Sequence, residues 1–310
     1  MFSFVELLRA IATALITNSH FDGVYPLDIS WGGCPGVALF FSISGFVLVK
    51  SVTRESFLPW WIKKVLRLYI PMCLVNIITV AIGFRNLTLD LFLFPINTSL
   101  WYIPTITVLY IPYYLIIGGG GKHRLCAVLT AILIYCLTYA ICYNDFFFVE
   151  PEIRFRWIYG FISMMLGSMI YSYRDMVLYS RRNKWVFLAL ASCGGFLAMK
   201  LCMTRISILL RVQFMTQVFG VGFAVFSLIA GIAYEKEITQ MMKSHLGRLV
   251  AKVSECSLEI YLVQFPIIAM LKVLVFPINF LAICGFIFGA ASIIHNISRE
   301  ITTRIIKEKG

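Results

Sequence analysis

A chain of 310 residues that is 60% hydrophobic, 15% aromatic and only 14% charged lacks the roughly one-quarter charged residues of a soluble globular surface. Its mean hydropathy of +0.86 spreads that excess along the whole sequence, which excludes a soluble domain, and the dense aromatics exclude a disordered chain. The net charge of +12 would suit a nucleic-acid binder, but the 27 Lys and Arg sit in alternate loops, so the expected partner is the lipid bilayer and not nucleic acid.

Crossing the hydrocarbon core takes about 17 to 25 apolar residues, and the sequence offers ten such runs. The first, Val5 to Phe21, carries Glu6, Arg9, Thr13 and His20 at successive offsets of 3, 4 and 7, which places them on one helical face. Arg9 and His20 are then separated by roughly 16 Å along the axis. Ionisable groups inside spans are costly, so this stripe is expected to face the bundle interior. Histidine accepts and releases a proton near neutrality, which suits a general base working on a hydroxyl. A snorkelling interfacial His20 and a purely structural Glu6–Arg9 pair are the plainer alternatives.

The second span runs from Pro35 to Val52 and the third from Leu66 to Phe84, opened by the basic cluster Lys63, Lys64 and Arg67. Three cations within about one turn suit the phosphates of a polyanionic cofactor such as coenzyme A, although basic residues also anchor topology. The fourth to seventh spans cover Leu100 to Ile117, Leu125 to Tyr143, Trp157 to Tyr173 and Trp185 to Met203. The last three are Ile208 to Tyr234, Ser254 to Val275 and Pro277 to Ile297. Lipid admits only helices or closed barrels, and these long non-alternating runs predict helices throughout. Nineteen Lys and Arg fall in one set of loops and seven in the other, which places both termini in the cytoplasm. The fold class expected is therefore all-α, one polytopic bundle of about ten transmembrane helices over residues 1–310. The first helix is expected to be retained, because Glu6 and Arg9 interrupt its apolar run and no small-residue cleavage site follows. Nine cysteines without CxxC or CxxH spacing read as core residues, so no metal is expected.

Several segments together resemble the acyltransferase type 3 family of membrane O-acyltransferases. FVELLRAIATALITNSH is similar to its opening helix, with E-x-x-R and a histidine eleven residues beyond the arginine. GVALFFSISGFVLVKS resembles its phenylalanine-rich segment, KKVLRLYIP its basic stretch, SLWYI its Trp-aromatic motif and SLEIYLVQFPI its closing S-x-x-I-Y-L-x-H-x-P. Gln264 stands where that last motif has histidine, and glutamine keeps a hydrogen bond but carries no proton.

The resemblance implies transfer of an acyl group, usually acetyl, from cytoplasmic acyl-CoA to a hydroxyl of an extracytoplasmic glycan or lipid-linked sugar. It implies a bacterial inner membrane, donor phosphates on Lys63, Lys64 and Arg67, catalysis by His20 with Arg9, and a carboxylate to orient the imidazole, for which Glu152, Glu150 and Asp22 are candidates. Glu6, Trp101, Arg154, Ser257, Tyr261 and Gln264 would line the substrate cavity, with Arg156 beside Arg154. The chain has no room for the esterase-like domain fused to many relatives, so it is expected to act alone or with a separate partner. Self-association into a homo-oligomer is left open. The rival readings are a flippase for a lipid-linked sugar and an inactive membrane scaffold.

Overall fold

The computed structural model describes residues 2–27, 29–88, 101–144, 146–177 and 182–308. Ser99 and Leu100 of the SLWYI motif and Asp28 lie outside them. The described residues form twelve α-helices: α1 (Ser3–Asn18), α2 (Gly33–Val52), α3 (Phe57–Ala81), α4 (Tyr102–Gly118), α5 (Arg124–Cys142), α6 (Ile153–Val177), α7 (Arg182–Met203), α8 (Met215–Ala233), α9 (Glu235–Met242), α10 (His245–Glu255), α11 (Ser257–Leu271) and α12 (Ile278–Glu308). Among the described residues there is no strand.

Each expected span overlaps one helix, and six helices are long and apolar enough to cross a membrane: α2, α3, α5, α7, α8 and α12. The α10 and α11 pair meets that test only as one broken span, bent by 76°. α1 and α4 have 16 and 17 residues, and α6 carries Arg154, Arg156, Arg174 and Asp175.

Several boundaries differ from the sequence expectation, among them the end of α12, which runs to Glu308 rather than Ile297. α3 starts at Phe57, nine residues early, so the basic cluster lies inside the helix. Pro59 occupies its first turn, where a missing N–H is tolerated, and the Trp60 indole donates to Ser51 Oγ at 2.9 Å. The start of the eighth span is a short 3-10 helix, Ser207–Val212, because hydropathy cannot tell a capping turn from the helix behind it. The basic stretch from Lys236 to Lys252, expected as a loop, is two amphipathic helices. There Ser244 caps α10 by accepting from Gly247 N, and Glu235 accepts from Ser3 N and Phe4 N at 2.9 Å each, closing the open end of α1.

α2 is the central helix, packed on α1, α6 and α8. Its contact with α6 is backbone to backbone: a Cβ on Gly45 would stand 1.8 Å from the Met164 carbonyl oxygen, and one on Gly167 would stand 1.9 Å from that of Ser42. Only glycine permits that approach. The closeness is sealed by Tyr113 Oη donating to Gly45 O at 2.6 Å and Ser42 Oγ donating to Ser163 O at 3.0 Å. Locking α2 to α6 this tightly fixes the wall of the cavity that the remaining helices enclose.

Candidate active site

A cavity of about 880 Å³ runs through the bundle between two chemically distinct ends. α1 lines it with Arg9, Thr13, Ile16 and Thr17, the 3.6-residue periodicity expressed as one wall, and the turn that follows adds His20. Glu6, first in the sequence stripe, does not line it, although its charge acts on Arg9.

At one end Arg9 meets Lys64 and Arg67 of α3. Tyr102 and Tyr110 of α4 line the wall with these three cations. Lys63 turns away and pairs with Glu55 at 2.8 Å, since residues 63 and 64 diverge by about 100° around a helix. Where α10 breaks into α11, Ser254, Ser257 and Glu259 enter the wall, opposite His295 and Ser298 of α12. His295 Nδ1 lies 3.1 Å from Glu259 Oε1, and Ser298 Oγ donates to the same oxygen at 3.4 Å.

At the other end α1 stops at Asn18, so His20 stands in the turn beyond it rather than inside the helix. The imidazole is half-buried against Phe265, with ring centroids 4.5 Å apart. Burial, helped by the nearby Arg156 guanidinium, pushes its pKa down to about 4, which keeps the ring neutral and able to accept a proton. Arg156 sits 4.7 Å over the Trp101 ring and donates from Nε to Glu150 O at 2.7 Å. Tyr102 and Tyr261 meet edge to face at 5.7 Å midway along the cavity.

The loop before α6 brings one of the candidate acids to the cavity. Glu150 lines the cavity and pairs with Lys200 of α7 at 2.8 Å, whereas Glu152 is held by Arg154 at 2.9 Å and neither of those two lines the cavity. Glu152 is consumed by its neighbour two residues on, while Glu150 sits on the turn that enters the bundle. Among the described residues no carboxylate hydrogen-bonds His20. Gln264 is fully buried, lines nothing, and leaves its amide without a partner among the described residues. Of the residues singled out from sequence, the cavity thus gathers Arg9, His20, Lys64, Arg67, Trp101, Ser257 and Tyr261, and leaves out Glu6, Lys63, Glu152, Arg154 and Gln264.

The profile of the acyltransferase domain family matches residues 2–294. The chain is a member of the acyltransferase type 3 family. No curated protein and no solved structure matches it. As an acyltransferase of this family with several membrane-spanning helices, it is an integral membrane protein.

Sequence reasoning missed Glu259, His295 and Gln217 as wall residues of this acyltransferase. Glu259 and His295 carried the signal already applied to Arg9, an ionisable group inside an apolar run. Gln217 carried none, because it matters only through the loop packed against it. Among the described residues no three His, Cys, Asp or Glu side chains converge to hold a metal ion.

Proposed function

We propose that this acyltransferase moves an acyl group, acetyl in the simplest case, from cytoplasmic acyl-CoA to a hydroxyl of a glycan or lipid-linked sugar on the other side of a bacterial inner membrane. The observation that carries the reading is the single cavity joining Arg9, Lys64 and Arg67 at one end to His20 at the other. In this reading α1, α4, α6 and the broken α10–α11 pair cross the membrane together with the six long apolar helices, giving ten crossings with both termini in the cytoplasm.

Guanidinium and ammonium groups bind phosphate oxygens, so Lys64 and Arg67 hold the nucleotide end of the donor, with Lys63 at the rim. The pantetheine arm lies past Arg9, Tyr102 and Tyr261 and brings the thioester carbonyl toward His20. The neutral imidazole takes the proton of the acceptor hydroxyl while the hydroxyl oxygen attacks the carbonyl carbon. The C–S bond breaks, the new C–O ester bond remains, and the imidazolium returns its proton to the thiolate of coenzyme A. A transient acyl-imidazole would use the same unprotonated nitrogen and splits the transfer into two steps. Arg156, near the imidazole, stabilises the developing oxyanion from that end, and Arg9 offers positive charge along the path of the donor.

The test is transfer of radiolabelled acetyl from acetyl-CoA in membranes that express the chain, beside His20→Ala and Arg67→Ala at matched expression. Label reaching a glycan or lipid-linked sugar with wild type, and lost with both variants, supports the reading. Transfer that survives His20→Ala sinks the catalytic assignment, and no transfer from any common acyl-CoA favours a flippase or a scaffold.

A further inference from the structure

The loop 146–152 is pinned into the cavity wall by two glutamines, Gln213 just after the 3-10 helix and Gln217 in the first turn of α8. Gln213, fully buried, accepts from Phe148 N at 2.8 Å and Val149 N at 3.1 Å, and its Nε2 donates to Phe146 O at 3.1 Å. Gln217, 4% exposed, donates from Nε2 to Val149 O at 3.1 Å. That bond fixes the orientation of the amide and leaves Oε1 as the free acceptor. Its Oε1 is buried and has no hydrogen-bond partner among the described residues. Glu150 repeats the pattern: Oε2 accepts from Lys200 Nζ at 2.8 Å, while Oε1 is buried with no partner among the described residues. Both residues line the cavity at its His20 end. Native proteins rarely leave buried acceptors unmet, so two on one wall point to a ligand that brings donors.

We infer that Glu150 and Gln217 form a subsite for an uncharged sugar, accepting hydrogen bonds from two of its hydroxyl or amide N–H groups. This rests on the hydroxyl acceptor proposed above and names where that acceptor is held. The charge balance selects against acids. Lys200 is already spent on Glu150, its ammonium further held over the rings of Phe147 at 5.5 Å and Phe196 at 5.6 Å. An anionic ligand group would meet two acceptor oxygens here, while Arg156, the nearby cation without an ion pair among the described residues, is turned onto the Trp101 ring and the Glu150 carbonyl oxygen. Phe147 and Trp31 also line this end and offer the apolar faces against which the C–H face of a pyranose packs.

Saturation-transfer NMR on the full chain in lipid nanodiscs tests this without turnover, using methyl α-glucopyranoside, N-acetylglucosamine and glucuronate as probes. The expected result is saturation of both neutral sugars, about tenfold weaker for glucuronate, and a loss of about tenfold in Gln217→Leu and in Glu150→Gln. Because Gln217→Leu also removes the bond to Val149, each variant is compared with wild type by thermal unfolding. If Gln217→Leu is unfolded, Glu150→Gln alone decides. No saturation of either neutral sugar in wild type, equal saturation of glucuronate, or unchanged signals in the folded variants overturns the subsite. Neutral-sugar binding without acetyl transfer would instead sink the transferase reading and leave the subsite standing.

Discussion

The two ends of the cavity solve opposite electrostatic problems. At the α3 end Lys64 and Arg67 line the wall with Arg9, and among the described residues no ion pair neutralises any of the three. At the His20 end Lys200 is matched by Glu150, Arg156 rests on the Trp101 ring, and the imidazole is neutral. Unmatched cations attract a polyanion and hold it in proportion to its charge. A wall whose Lys200 is paired and whose Arg156 is turned onto an aromatic ring leaves recognition largely to hydrogen bonds, and chemistry to a base free of its proton. Charge placement alone therefore suggests which end takes the nucleotide and which the hydroxyl.

The largest test of that contrast is His20→Ala, which removes the base and leaves the cations. Transfer is expected to fall by about 100-fold or more in kcat, with the KM for acyl-CoA little changed. Arg67→Ala attacks the other end. Losing one charge-assisted contact to phosphate should raise the KM for acyl-CoA by about 10-fold to 100-fold with kcat nearly intact, and the penalty should shrink as salt rises. If His20→Ala raised KM and Arg67→Ala lowered kcat, the two ends would have been assigned the wrong way round.

The pH profile sharpens the comparison further. The base works when unprotonated, so with its pKa near 4 the acid limb of kcat/KM should lie well below neutrality and activity should be flat from about pH 6 upward. Arg156→Gln removes a positive charge that disfavours the imidazolium; the histidine pKa then rises and the acid limb moves to higher pH. An unmoved limb would show that Arg156 does not act on His20. The smallest effect separates neighbours on α3: Lys64→Ala should weaken acyl-CoA binding by a few fold, whereas Lys63→Ala, whose ammonium is exposed and paired with Glu55, should stay within about twofold.

Much of the fold could be read from the sequence because its determinants are local. Ten apolar runs marked ten helices, since backbone polar groups in lipid leave no other solution for long non-alternating segments. The first-helix stripe was legible for the same reason: a 3.6-residue period is carried by the sequence itself, and Arg9, Thr13 and His20 do share the cavity wall. Whether every helix crosses the membrane was not legible, because α1 and α4 are short and α6 is charged at both ends.

Sequence by itself determined that this is a helical membrane protein of the acyltransferase type 3 family with an arginine and a histidine aligned along its first span. Tertiary structure decided which residues join them. Lys64 rather than Lys63 enters because α3 begins at Phe57 and turns residue 63 toward Glu55. Glu150 rather than Glu152 enters because Gln213 and Gln217, more than 60 residues away in sequence, hold the loop in one conformation. Glu259 and His295 meet because α11 breaks from α10 at 76° and delivers its first turn beside α12. Periodicity fixes what faces one side of a helix, but only packing between distant segments fixes what that side faces.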